Sequence, residues 1–193
     1  MPPTPTVPED NVQDREDAPR ASYASAGVDI EAGEQAVEAF RPHAEMATRP
    51  EVLGGIGGFA GLFAPKLSRY SEPVLAASTD GVGTKLAVAQ ALDKHDTVGL
   101  DLVAMVVDDL VVCGAEPLFL QDYIAVGRVV PERVAEIVGG IAAGCVQAGC
   151  ALLGGETAEH PGVMADGDYD LSATGVGVVE ADRLLGPDRV RPG

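Results

Sequence analysis

The chain has 193 residues, 46% hydrophobic but only 4% aromatic, with a formal net charge of −17. That length suits one domain with a tail and a core of Val, Leu, Ala and Ile. The charge excludes a nucleic-acid partner, because phosphate backbones are held by clustered Lys and Arg; a nucleotide stays open, since magnesium can stand between acidic side chains and a triphosphate.

Residues 1–21, MPPTPTVPEDNVQDREDAPRA, carry too little apolar surface to offset chain entropy and are expected to be a disordered tail. Residues 22–193 are the expected folded domain. Residues 22–46 read as a loop and then a helix anchored by Val37 and Phe40. The stretch from Gly54 to Gly61 is too rich in glycine for a regular element. After Pro73 strands and helices alternate. Residues 74–79 read as a buried strand ending in the turn Asp80-Gly81-Val82-Gly83-Thr84, and 85–94 as a short helix. Residues 99–113 form a second helix with Val103, Val106, Val107, Leu110 and Val111 at helical spacing. Residues 118–126 are strand-like. Pro131 opens a third helix, where its missing N–H costs nothing, and Val134, Ile137, Val138, Ile141, Ala142 and Cys145 are its buried stripe. Residues 151–153 read as a short strand feeding Gly154-Gly155-Glu156-Thr157. Residues 169–179 read as a long strand in which Gly175 and Gly177 mark bulges or close approaches. The alternation gives an α/β or α+β layered domain.

Cys113, Cys145 and Cys150 form no CxxC pair and read as reduced thiols of a cytoplasmic protein, packed as small hydrophobes. His43, His95 and His160 lack metal-ligand spacing and read as structural or surface residues. No apolar run approaches the roughly 20 residues of a membrane span, and no basic-then-apolar leader opens the chain. The expectation is a soluble protein with no membrane partner.

Between Gly99 and Gly114 the only charged residues are Asp101, Asp108 and Asp109. Asp101 and Asp108 fall about 20° apart on one helix face, with Asp109 about 100° further round. Leu102, Met105 and Val112 lie away from the core stripe, so the helix is expected to be largely buried. Its acids would then need a metal, a basic partner or a raised pKa; the bland alternative is a solvent-exposed acidic stripe. Asp80 and Glu156 sit in Gly-rich turns after strands, where open sheets collect ligands. Glycine N–H groups there can approach phosphates, and Lys85 adds charge at a helix start. Asp80, Asp109 and Glu156 together can hold one or two Mg²⁺ on a triphosphate, although each alone reads as a turn residue. GVGTK lacks the P-loop spacing. Gly55-x-Gly57-x-x-Ala60 fits a dinucleotide fingerprint but follows no buried strand, and is rejected.

The runs GVDIEAGEQAVEAF, TRPEVLGGIGGF, STDGVGTKLAVA, HDTVGLDLVAMVVDDLVVCGAEPLF, GCALLGGETAEHPG and DYDLSATGVGVVE, in that order over about 22–179, resemble the signature blocks of the phosphoribosylformylglycinamidine cyclo-ligase (aminoimidazole ribonucleotide synthetase) family. The resemblance implies an α+β domain whose mixed sheet, with helices on one face, pairs with a second subunit into a barrel, making a homodimer. It implies ATP and Mg²⁺ as cofactors and formylglycinamidine ribonucleotide as substrate, closed to aminoimidazole ribonucleotide with release of ADP and phosphate. It makes Asp80, Asp109 and Glu156 the magnesium ligands and Lys85 and Asp101 the catalytic pair. Nucleotide contacts would come from Gly54, Gly55, Gly57, Gly58, Asp80, Gly81, Gly83, Thr84, Lys85, Asp101 and Asp108.

Two departures qualify it. Many relatives carry Asn-Asp at Asp108-Asp109, and they continue past residue 193 into a second domain bearing a His-Ser-Asn-Gly segment. The expectation is a nucleotide-binding, dimerising N-terminal half, without the C-terminal domain and inactive by itself. Selenophosphate synthetases carry a reactive Cys near the N-terminus, whereas the first Cys here is Cys113; thiamine-monophosphate kinases carry an Asp-Asp-Ala run before the first strand, which is missing. The rival of another class is a non-catalytic acidic module, binding Ca²⁺ or acting only as a dimerisation scaffold.

Overall fold

The computed structural model describes residues 22–192, so the expected tail 1–21 lies outside the described residues. In chain order the elements are α1 Ile30–Met46, β1 Val52–Leu53, β2 Leu62–Phe63, β3 Pro73–Gly81, α2 Lys85–Leu92, α3 Val98–Val112, β4 Glu116–Val126, α4 Pro131–Ala148, β5 Ala151–Glu159 and β6 Tyr169–Glu180. Strands β3 to β6 form one sheet in the order β3–β6–β4–β5. Its first two pairings are antiparallel and β4–β5 is parallel, joined by the crossover helix α4. The sheet is mixed and its helices lie on one face, as expected.

Local chemistry explains the boundaries. The Asp29 carboxylate accepts from the Ala32 N–H at 3.0 Å and caps α1. Pro131 occupies the first turn of α4, and Gly149, at φ 69°, ends it in the left-handed conformation. All six residues expected on the α4 stripe are buried. Asp93, among the described residues the one non-glycine with positive φ (48°), ends α2; its carboxylate meets His95 Nε2 at 3.1 Å, while His95 Nδ1 meets the Tyr169 hydroxyl at 2.9 Å. His95 is thus a satisfied, buried structural residue.

α3 departs from its expected orientation. Its fully buried residues are Leu102, Val103, Val106 and Leu110, whereas Val111 is 51% and Val112 68% exposed. Leu102, expected on the outer side, is in the core. The cause is packing on two sides: α3 touches β3, β6 and β4 beneath it and α4 beside it. The helix is therefore not largely buried, and its outer face carries Asp108, Asp109, Met105 and Val112 into solvent. In the chain by itself the exposed acidic stripe is the correct reading.

α3 approaches α4 through glycines. A Cβ at Gly99 would lie 2.3 Å from the Ile141 N, and one at Gly140 2.3 Å from the Asp96 carbonyl oxygen. Gly175 plays the same part in the sheet, where a Cβ would fall 2.5 Å from Val106 Cγ1. On α1, Ala36 and Ala44 are the fully buried contacts; of the expected anchors, Phe40 packs half-buried against the core, and both Phe40 and Val37 also line a cavity. The opposite face of the sheet is open: Leu75 is 61% exposed, and the Thr79 and Thr174 hydroxyls bond across it at 2.7 Å. No helix among the described residues is long and apolar enough to cross a membrane.

Gly140→Ala is expected to lower stability by about 3 kcal/mol, because the clash is with backbone that cannot yield. Gly33→Ala on α1, where a Cβ meets nothing within 4 Å, should gain up to about 1 kcal/mol. Urea unfolding of the two variants checks both signs.

Candidate nucleotide edge and an acid-lined cavity

Two regions hold the residues singled out by sequence, and they lie at opposite edges of the sheet. The first is built where β3 runs into α2 under α3. Asp80 and Gly81 lie inside β3, paired with Ala173 and Ser172, so Asp80 is a strand residue and not the turn residue expected. Its carboxylate accepts from the Gly81 N–H at 2.7 Å. Ser78 shares its side of β3 and donates to Asp109 Oδ2 at 2.5 Å. That bond brings Asp109 within one pleat repeat, roughly 7 Å, of the Asp80 position. Gly83, at φ 68°, turns the chain into α2. Thr84 precedes the helix without capping it. Lys85 opens α2, its ammonium 3.4 Å from Asp101 Oδ2, with both side chains about half exposed. An exposed pair of this kind is worth no more than about 1 kcal/mol, so Lys85 is readily drawn to a stronger anion. Asp108 faces solvent beside them.

Glu156 is not part of this edge. Three inter-strand steps, roughly 14 Å, separate β5 from β3. It is also out of phase: Asp80, Ala173, Asp122 and Gly155 form one row across the sheet, whereas Glu156 sits one residue on, in the row of Ser172 and Tyr123. Strand alternation assigns that row to the open face. Glu156 lies within β5, which runs on to Glu159 instead of stopping at residue 153. Among the described residues no three His, Cys, Asp or Glu side chains gather closely enough to hold a metal. The expected convergence of Asp80, Asp109 and Glu156 on one cation cluster is thus not met within a single chain; the first two come together and the third does not.

The second region is a cavity of about 640 Å³ between α1, the Gly-rich loop and the β4–β5 edge. Arg49 fixes the base of the loop, donating to the Gly149 carbonyl at 3.0 Å and to Glu51 at 3.3 Å, and Phe63 packs on Phe119 with ring centroids 5.2 Å apart. Gly54 and Gly57 take φ 86° and 110°, which shapes the loop. At Gly61 a Cβ would lie 2.5 Å from Leu153 Cγ, so the loop closes tightly on β5. Gly55, Gly57 and Gly58 line the cavity. They stand apart from Lys85, so the two expected sets of phosphate contacts are not adjacent in one chain. Glu159 holds the far end, its two oxygens accepting from the Asp29 and Val129 N–H groups at 2.7 Å each.

Asp122 was not singled out by sequence, although a carboxylate inside the apolar run 118–126 was a readable signal. It lines the cavity from β4, half-buried. Burial pushes its carboxyl up to about 7, with no hydrogen bond or counter-charge contributing. On α4, Cys145 is held far above the ordinary thiol range by its hydrogen bond with Cys150 and then by burial, and all three cysteines are free.

The native state keeps the Asp122 proton between about pH 4 and 7, where an unfolded chain has lost it, so its contribution to stability falls as pH rises through that window. Asp122→Asn is expected to raise the thermal unfolding temperature at pH 8, by at most the equivalent of about 4 kcal/mol. The gain should fade toward pH 4 in scanning calorimetry.

Comparison with known proteins places this geometry. Residues 65–179 match the family described as "AIR synthase related protein, N-terminal domain". Curated relatives include the phosphoribosylformylglycinamidine cyclo-ligases of Desulfitobacterium hafniense, 57% identical over 172 residues, and of Myxococcus xanthus, 59% identical over 172 residues. The match covers 89% of this chain and 51% and 50% of those two, so the chain spans about half the length of the curated relatives it matches. Among solved structures, thiamine-monophosphate kinase from Stenotrophomonas maltophilia superposes with a TM-score of 0.59 at 24% identity, covering 82% of this chain and 46% of its own. The hydrogenase maturation protein HypE in complex with ATP gives 0.57 at 19%, covering 83% and 44%. These last two share the fold. With more than half its length matched in sequence, the chain belongs to the AIR synthase related family, of which it carries the N-terminal domain.

Proposed function

We propose that this chain is the nucleotide-binding and dimerising half of an ATP-dependent cyclo-ligase that converts formylglycinamidine ribonucleotide to aminoimidazole ribonucleotide, ADP and phosphate. The observation that carries the reading is the 57–59% identity to named cyclo-ligases over 172 residues. A solved relative of the same fold is an ATP complex, which supports the choice of nucleotide. In the reaction the formyl oxygen takes the γ-phosphoryl group as ADP leaves, a ring-forming nitrogen attacks the formyl carbon and gives up its proton, and the C–O bond breaks as phosphate leaves. The chain's part is electrostatic, as phosphoryl transfer demands. Lys85, held toward α3 by its exposed pair with Asp101, extends from that pair to meet the phosphates. Gly81, Gly83 and Thr84 lead the backbone into the α2 N-terminus beside them.

Magnesium fits the donors present: Asp80 and Asp109, brought together through Ser78, supply the one or two carboxylates that this ion takes alongside phosphate oxygens and water. When bound it neutralises the triphosphate. Glu156, with Gly54, Gly55, Gly57 and Gly58 on the same side of the fold, belongs to the other edge. In a homodimer formed through the open sheet faces, one protomer's Glu156 edge completes the Asp80 edge of its partner. The protein works where ATP and its substrate are made, in the cytoplasm.

Calorimetric titration with Mg-ATP should show binding that weakens at least about tenfold in Asp80→Asn, the loss of one charged ligand. If sites are completed between protomers, Glu156→Gln binds equally poorly. Mixing the two variants then restores about a quarter of the sites, those of the mixed dimers; wild-type binding by Glu156→Gln would refute the shared site. Leu75→Glu, on the open face, should convert a dimer to a monomer in sedimentation velocity, and an unchanged sedimentation coefficient would place the interface elsewhere.

A further inference from the structure

Five carboxyl groups ring the cavity beneath α1, and four are accounted for. Asp29 caps α1, Glu159 ties down two backbone N–H groups, and Glu34 and Glu156 are exposed at its edge. Asp122 differs from all of them. It enters from β4, in the middle of the sheet, and no donor or counter-charge offsets its desolvation. The space its carboxyl occupies is the space a side chain at residue 155 would take: a Cβ on Gly155 would lie 2.1 Å from Asp122 Oδ1. The glycine in the parallel strand therefore makes room for this acid.

The cavity has no Lys, Arg or His among its lining residues, while Phe40, Ile56 and Leu152 give it apolar walls. Such a lining repels anions and suits a flat group with N–H donors. A carboxylate and an amidinium match as two parallel N–H···O bonds, the geometry that makes Arg–carboxylate pairs strong. Apolar walls on its sides reduce the water that would otherwise screen the pair.

The geometry points to a cation subsite in which the Asp122 carboxylate pairs with an amidinium held between the apolar walls of this cavity. That the natural ligand is the amidine of formylglycinamidine ribonucleotide rests on the function proposed above; the subsite itself rests only on the cavity and its unpaired acid. In the proposed reaction the amidine must be oriented toward the carbon that bears the phosphorylated oxygen, and a fixed carboxylate on a sheet strand is a rigid means of orienting it.

The test uses the 193-residue chain and acetamidinium chloride at pH 8.5, followed by amide chemical shifts and calorimetry, with sodium acetate as the anion control. Saturable acetamidinium binding with shifts centred on Gly155 and Ile56 is expected, and none with acetate. Asp122→Asn, which keeps the shape and removes the charge, should weaken binding about tenfold or more. Gly33→Leu provides a second variant that leaves the acid intact: its Cβ enters open space at the cavity wall and favours the helix, so binding falls without loss of folding. Equal affinity in wild type and both variants, shifts outside the cavity, or no saturation overturns the subsite. Failure of Mg-ATP to bind while acetamidinium binds would strike the nucleotide reading and leave the subsite standing; the reverse result would do the opposite.

Discussion

The close approach of α3 to α4 is the contact on which the rest of the arrangement depends. It is made backbone to backbone at Gly99 and Gly140, and Gly175 lets α3 settle equally close on the sheet. With a methyl group at any of the three, α3 would ride higher. Asp109 would then leave Ser78 and Asp101 would leave Lys85. The edge proposed to take the nucleotide is thus held by three absent side chains, and its charged groups need no buried ion pairs to keep their places. The trade is legible in the numbers: a polar contact at an exposed edge contributes about 1 kcal/mol, whereas a core clash costs several times that.

The fold was largely legible because each element carries a local signal. The α4 stripe, its proline start and its glycine end were all read correctly, since an amphipathic helix with caps is determined by its own residues. α3 was misread for the opposite reason. Nearly every residue in it is apolar, so periodicity could not choose which side faces inward, and the choice fell to glycines on two other elements. Gly175 receives Val106 and Leu110, and Gly140 receives the backbone at Asp96 and Gly99; neither of these receiving glycines belongs to α3.

The site was legible in its parts and not in its assembly. Of the residues read from sequence, Lys85 pairs with Asp101, and Ser78 ties Asp109 to the strand that carries Asp80. Glu156 was found and lies elsewhere, because its place depends on strand order and on a one-residue phase. The bulge between Leu120 and Gln121 in the β4–β5 register sets that phase. Asp122 lies inside a strand and not beside a glycine in sequence, so no turn motif marks it, although a carboxylate among Leu, Phe, Tyr and Ile is the more unusual placement.

The sheet order has a consequence for how the chain is made. β3 is an edge strand whose sole partner is β6, with Pro73 opposite Glu180 and Gly81 opposite Ser172. During synthesis β3 leaves the ribosome about a hundred residues before the strand that will hold it, while β4, α4 and β5 can already pair and cross over. The strand bearing Asp80 is then the last to be secured, and for that interval its hydrogen-bonding edge is open to other chains. The consecutive polar residues Ser78, Thr79 and Asp80 at its end keep that edge from being a continuous sticky surface, so the stretch that includes the proposed magnesium ligand Asp80 also protects the nascent chain.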